Sequence, residues 1–248
     1  MPAILTFALA APLGAMGALA VGERRGGWDR PGRSAVLGLV AACLGLDRAA
    51  EDEHAALSAG LGLAIRREGP ATALLSDYHT AQVPRTLRNR VFATRREELG
   101  APELETVLSR RDYRADIAFT AALWHRPKAP MPWTLADLAA AMAEPRFVPY
   151  LGRKSCPLGL PMAPLVAEAE TMREAFTRRD AEAREWERRL VPRGAGGTVW
   201  ADEAGPGEPL LGLHEIYRET RRDEPVSRAR WQFGLRAEIA AEWPKGVG

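Results

Sequence analysis

Arg153, Lys154, Ser155 and Cys156 follow one another in the stretch LGRKSCPLGLP, residues 151–161, which Pro157, Gly159 and Pro161 then stiffen. Two chemistries suit that spacing. A cysteine beside two cations has the setting of an activated thiolate nucleophile. The same cations and a hydroxyl on a fixed turn are instead a surface that grips phosphates. The nucleophile needs a base close in space, and a cysteine between Ser155 and Pro157 also packs well as a small residue holding a turn.

A second cluster covers residues 76–96, where Arg85, Arg88, Arg90, Arg95 and Arg96 stand against the single acid Asp77, a net +4. Tyr78, His79 and Phe92 interleave with the arginines. Cations alternating with aromatics fit a protruding hairpin that touches a nucleic-acid backbone and stacks on bases. His79 has two readings, a stacking or hydrogen-bonding group, or a general base for metal-free RNA cleavage.

The third cluster is a glycine-rich loop (Gly14, Gly17, Gly22, Gly26, Gly27, Gly32) that carries Arg24, Arg25, Arg30 and Arg33. It opens into the helical run SAVLGLVAACLGL, which Ser34 is expected to cap. A helix start with unpaired N–H groups and a positive dipole attracts a phosphate. The four histidines form no HExxH and no carboxylates cluster, so no metal and no cofactor are expected.

The elements that must position these groups follow from periodicity. Residues 4–9 read as a buried first strand ended by Pro12, and Leu61, Leu63 and Ile65 alternate as another strand after a helix over residues 51–59. DIAFTAALW, residues 116–124, reads as a core strand, and Thr134 caps the helix of LADLAAAM. This succession outlines a ferredoxin-like βαββαβ unit. Residues 166–190, with Val166, Ala169, Phe176, Ala183, Trp186 and Leu190 on one face, predict a continuous helix, and WQFGLRAEI predicts a closing strand.

The chain has 248 residues, 46% of them hydrophobic, enough for a real core. Its 34 basic residues nearly balance 32 acidic ones, a net +2, so any attraction for nucleic acid must be local. Cys43 and Cys156 make no CxxC or zinc-type pattern. The apolar N-terminus has no Lys or Arg ahead of it and is broken by Pro12, Gly14 and Gly17, so neither export nor a membrane span is expected. A reduced, cytoplasmic setting follows as the expectation.

Five blocks carry a family resemblance: GERRGGWDRPGRSAVLGLVAACLGLDR (22–48), SDYHTAQ (76–82), RRDYRADIAFTAAL (110–123), LGRKSCPLGLP (151–161) and RRDEPVSRARWQFGLR (221–236). In these, and in their order along nearly the whole chain, the sequence resembles the CasD family, RNA-binding subunits of the type I-E CRISPR complex Cascade. The first loop departs from the usual pattern: AAPLGAMG lacks the tryptophan common before the last glycine, and Gly32 stands where threonine is usual.

The resemblance implies an α+β fold: a ferredoxin-like (RRM-type) domain over residues 1–165, with a hairpin thumb inserted at about 78–113. Residues 166–248 would be a helix and a small β region packed on it. It implies a non-catalytic subunit that binds the 5′ handle of the guide RNA (crRNA) and caps one end of the assembly. Partners would be the crRNA, the large subunit CasA, the backbone CasC, CasB and CasE, with target DNA nearby and no membrane. The RNA-binding set carried over is Arg24, Arg25, Arg33, Ser34, Tyr78, His79, Thr80, Arg85, Arg88, Arg90, Arg110, Arg111, Tyr113, Arg153, Lys154 and Ser155. The LGRKSCP stretch then reads as a gripping loop with Cys156 as its buried anchor. The alternative is a metal-independent endoribonuclease that processes the guide precursor with His79 or Tyr78 as base.

Overall fold

The run from Ile117 to Trp124 is buried residue after residue, as a strand covered on both faces and paired on both edges requires. The computed structural model, which describes residues 1–17, 22–85, 91–192 and 196–246, places it in the C-terminal half of β5 (Leu104–His125). Antiparallel neighbours flank it: β1 (Ala3–Gly14) on one edge and β3 (Leu61–Arg67) on the other. Beyond β1 lies the short β6 (Leu165–Glu168). Beyond β3 come β7 (Gly197–Asp202), β9 (Gln232–Trp243) and β8 (His214–Ser227). The order among the described residues is therefore β6-β1-β5-β3-β7-β9-β8, with β2 (Arg24–Arg25) and β4 (Ala73–Pro84) added to the N-terminal half of β5. The fold is a mixed α/β one, a large and mainly antiparallel sheet with few helices.

Alternation along the strands divides the core into two layers. Odd positions such as Leu5, Phe7, Leu63, Phe119 and Leu123 pack against Val36 and Val40 of α1 (Arg33–Leu44), Leu57 of α2 (Glu51–Gly60) and Leu138 of α4 (Leu135–Ala143). Ile4, Ala64, Ala122 and Trp124 face the other way, onto Phe176 of α5 (Met172–Ala181) and Trp243. Those two rings meet edge to face at 5.9 Å.

Three expectations are corrected. The first strand does not stop at Pro12 but runs through it to Gly14, and the pairing of β1 with β5 skips the position where Pro12 faces Asp116. Proline has no N–H to give, and Asp116 sits at φ 54°, out of the ladder. Past Asp116 the N-terminal half of β5 pairs with β4 in a long hairpin, whose connection carries α3 (Arg95–Leu99). Residues 166–190 are not one helix. Val166 pairs with Leu5 in β6, and Thr171 then starts α5 by accepting from the Glu174 N–H. The chain breaks again before α6 (Glu185–Leu190), where buried Glu187 accepts from Arg179. Finally, α1 begins at Arg33 with Gly32 as its cap residue, not Ser34.

Candidate nucleic-acid interface

At the root of the hairpin three strands bring together residues that are far apart in the chain. The two residues of β2 pair in parallel with β5, Arg24 beside Arg110 and Arg25 beside Arg111, while β4 sets Tyr78 opposite Arg110 and Asp77 opposite Arg111. Alternation then sorts them. One face carries Arg24, Arg110, Tyr78, Thr80 and Asp112; the other carries Arg25, Arg111, Asp77, His79 and Tyr113.

Four guanidinium groups on adjacent strands repel one another unless something neutralises them. On the first face Asp112 does so, accepting from Ser76 Oγ at 2.9 Å and from Arg24 Nη2 at 3.3 Å. The Ser76 hydrogen bond, followed by that from Arg24, holds its carboxyl below the usual range, so it stays ionised. Asp112 was not singled out from the sequence, where its one signal is a lone acid inside RRDYR. The second face has less compensation. Asp77 lies 3.4 Å from His79 Nε2, and buried Arg111 Nε has no hydrogen-bond partner among the described residues.

The gripping loop closes on that second face. Its turn is internal: Cys156 N–H donates to the Arg153 carbonyl at 2.8 Å and Leu151 N–H to that of Cys156 at 2.9 Å. Ala15 N–H donates to Leu151, tying the loop to the end of β1. Gly152 is required there, at φ 81° with its absent side chain aimed at the Ala15 carbonyl oxygen. Cys156 is 1% exposed, its thiol facing Ser155 Oγ at 3.9 Å, so the sulfur anchors the turn and is sealed from any substrate. Lys154 and Ser155 are exposed, whereas Arg153 leans across Tyr113, donating to its hydroxyl at 3.1 Å.

Further out the hairpin is less basic than residues 76–96 suggest. From 76 to 113 there are seven arginines against six carboxylates. Arg85 is paired with Glu105 at 3.2 Å and Arg95 with Glu98 at 2.6 Å. Arg88 and Arg90 lie outside the described residues. The unbalanced charge therefore sits at the root, where β2 adds two arginines.

Arg33 does not belong to this surface. Its side chain is 1% exposed and bound to Asp202 at 2.6 Å, to Glu224 at 2.7 Å and to the carbonyls of Ser58 and Leu61. Its backbone N–H donates to Asp223 at 2.9 Å, so a carboxylate already occupies the helix start expected to hold a phosphate. Half-buried Ser34 gives its carbonyl to Arg228 at 2.6 Å. Arg33 belongs to an internal network in which Arg221 and Arg236 meet Asp202, Asp223 and Glu238. Burial pushes the Asp223 carboxyl up, but Arg236, Arg221 and the Arg33 N–H together carry it below its ordinary value.

Among the described residues no cluster of His, Cys, Asp and Glu is built to hold a metal ion. No helix is long and apolar enough to cross a membrane.

Residues 4–238 match a family described as CRISPR-associated protein (Cas_Cas5). The chain is 32% identical over 244 residues to the "CRISPR system Cascade subunit CasD" of Escherichia coli (strain K12), covering 95% of this chain and 94% of the relative. A chain of a solved "CRISPR RNA-guided surveillance complex" superposes with a TM-score of 0.66 at 23% identity, covering 98% of this chain and 92% of that one. A second solved structure, titled "Crystal structure of Cas protein", superposes at 0.59 with 21% identity, covering 98% and 95%.

Proposed function

The chain belongs to the CRISPR-associated Cas5 family, and from that membership we propose that it is the type I-E Cascade subunit that binds the 5′ handle of the guide RNA. In this reading it caps one end of the assembly, contacts neighbouring subunits and does not cut RNA. Residues 1–165, completed by β6 just past that boundary, form the ferredoxin-like RNA-binding unit, with the β4–β5 hairpin as its thumb; the order β6-β1-β5-β3 and the helices that connect those strands support this. Residues 166–248 pack against that unit and extend its sheet through β7.

The observation that carries the proposal is the second face of the hairpin root. Arg25, Arg111 and Tyr113 share that face, Arg153 reaches across to Tyr113, and Arg111 Nε has no hydrogen-bond partner among the described residues. Cations beside an aromatic ring suit a single strand whose bases are splayed out and stacked. Lys154 and Ser155 extend the same surface, with Tyr78 and Thr80 on the reverse of the hairpin.

The endoribonuclease reading draws on His79 beside Asp77. Tyr78 and His79 are successive strand residues and point to opposite faces, so the two candidate bases belong to different sides of the hairpin and only one of them could serve. Titrating the purified chain with labelled handle RNA, against a scrambled strand and with a gel of the RNA afterwards, separates the two readings. The handle should bind more tightly and remain intact with or without divalent metal. Cleavage at one defined position, lost in His79→Ala, would establish the endoribonuclease instead.

A further inference from the structure

The hairpin of β8 and β9 has a face that the RNA reading does not use. Alternation along β9 turns Arg236 and Glu238 into the buried ion network, which leaves Phe233 and Leu235 on the other side. Leu235 is 61% exposed, and Trp231, the turn residue just before β9, is 57% exposed. Trp231 and Phe233 lie 6.1 Å apart, so with Leu235 they make one apolar stripe along the strand.

This stripe is held in place before anything binds it. Trp231 adopts φ 51°, a conformation that a bulky side chain keeps only when its surroundings impose it. Arg48 lies over its ring at 4.5 Å while donating to the Ala229 carbonyl at 3.0 Å. Ala229 N–H in turn donates to Glu51 at the start of α2 at 2.6 Å. A rigid aromatic anchor of this kind loses little freedom on docking.

We propose that the Trp231–Phe233–Leu235 face is where a neighbouring protein subunit of the complex docks, through an apolar patch with a carboxylate rim. The inference rests on the reading of the chain as a subunit of a surveillance complex. The rim chemistry follows from charge: Arg222 and Arg230 are exposed on this hairpin, whereas Arg236 is spent in the ion network and Arg228 on the Ser34 carbonyl. A second copy of this chain would bring arginine against arginine. Nucleic acid fits less well, because Arg48 already covers one face of the indole and aliphatic Leu235 has no use for a phosphate. The stripe also lies three strands from β5 in the sheet order, about 14 Å at ordinary strand spacing.

The test uses full-length chain and a reconstituted complex assembled without it. Trp231→Ala and Leu235→Ser are each titrated into that complex, and each is also titrated alone with handle RNA. Both variants should incorporate about tenfold more weakly or worse, as loss of an interface anchor does, while binding RNA like the parent. Leu235→Ser leaves the Arg48 stack intact and so reports on docking even if Trp231→Ala disorders the turn. Parental incorporation of Leu235→Ser would overturn the proposal. So would RNA binding that falls together with incorporation, or a dimer of the isolated chain that Leu235→Ser dissolves. If the parent incorporates but binds no RNA, the RNA reading fails and the docking face stands.

Discussion

Arg153 lies across Tyr113, its guanidinium carbon 5.4 Å from the ring centre and its Nη1 donating to the phenol oxygen at 3.1 Å. The contact joins two segments separated by 40 residues, the gripping loop and the root of the hairpin. Their relative position is thus set by one side-chain pair as well as by the backbone bond from Ala15 to Leu151.

Tyr113→Phe should weaken handle binding only a few-fold, because it removes one hydrogen bond, worth about 1 kcal/mol, and keeps the ring. Tyr113→Leu should cost more, since the cation–π contact, roughly 0.5–1 kcal/mol, is lost as well. Combining Tyr113→Leu with Arg153→Ala tests the linkage. If the two act as a unit, the double variant binds little worse than the weaker single one; full additivity in a binding titration would mean that they act separately.

Salt dependence separates free arginines from paired ones. Arg25→Gln with Arg111→Gln should lower the slope of log K against log salt by about 1.4, roughly 0.7 for each phosphate contact to a single strand. Arg85→Gln should change it less, because Arg85 already faces Glu105. Equal slopes for the parent and the Arg25/Arg111 variant would remove those side chains from the interface.

These arginines show where the sequence was legible and where it was not. Strands β1 and β3 and the C-terminal half of β5 were readable because each is a short apolar run buried on both faces, and the α4 start because Thr134 and Asp137 form a capping box. The gripping loop was readable because glycine, proline and cations coincide in a few residues. β2 left no local trace: two residues become a strand only because β5 is there to pair with them. Arg33 reads like its neighbours Arg24 and Arg25, yet its acid partners lie some 170 to 190 residues away. Residues 166–190 misled for a third reason, since Ala, Glu and Arg favour helix wherever they stand and the pairing of Val166 with Leu5 overrides that propensity.

Gly152 and Cys156 should respond in opposite ways. Gly152→Ala combines a left-handed backbone with a methyl driven into the Ala15 carbonyl, a strain on the order of 2–3 kcal/mol that is relieved only by moving the loop. Handle affinity should fall with it, because Arg153 moves too. Cys156→Ser should cost about 1–3 kcal/mol in unfolding free energy, according to whether the new hydroxyl finds a partner, and leave handle affinity unchanged. Loss of binding by a folded Cys156→Ser would contradict the anchoring role.

Acid should loosen the clamp between α1 and the β8–β9 hairpin. Asp223 receives the Arg33 N–H at 2.9 Å and Arg236 at 2.7 Å, with Arg221 3.5 Å away, and Asp202 and Glu238 compete for the same arginines. The balance leaves its folded carboxyl below the ordinary value, so folding favours the ionised form. The sign follows from proton binding: near pH 4 the unfolded chain takes up a proton that the folded chain refuses. The contribution is therefore complete above about pH 5, beyond the ordinary carboxyl range of about 4, and is lost as pH falls through the depressed folded value. Asp223→Asn should remove about 3 kcal/mol at pH 7, because it leaves buried arginines short of a counter-charge. It should also flatten the fall in urea midpoint between pH 5 and 3. If the variant and the parent lose stability in parallel over that range, the acid sensitivity arises from other carboxylates.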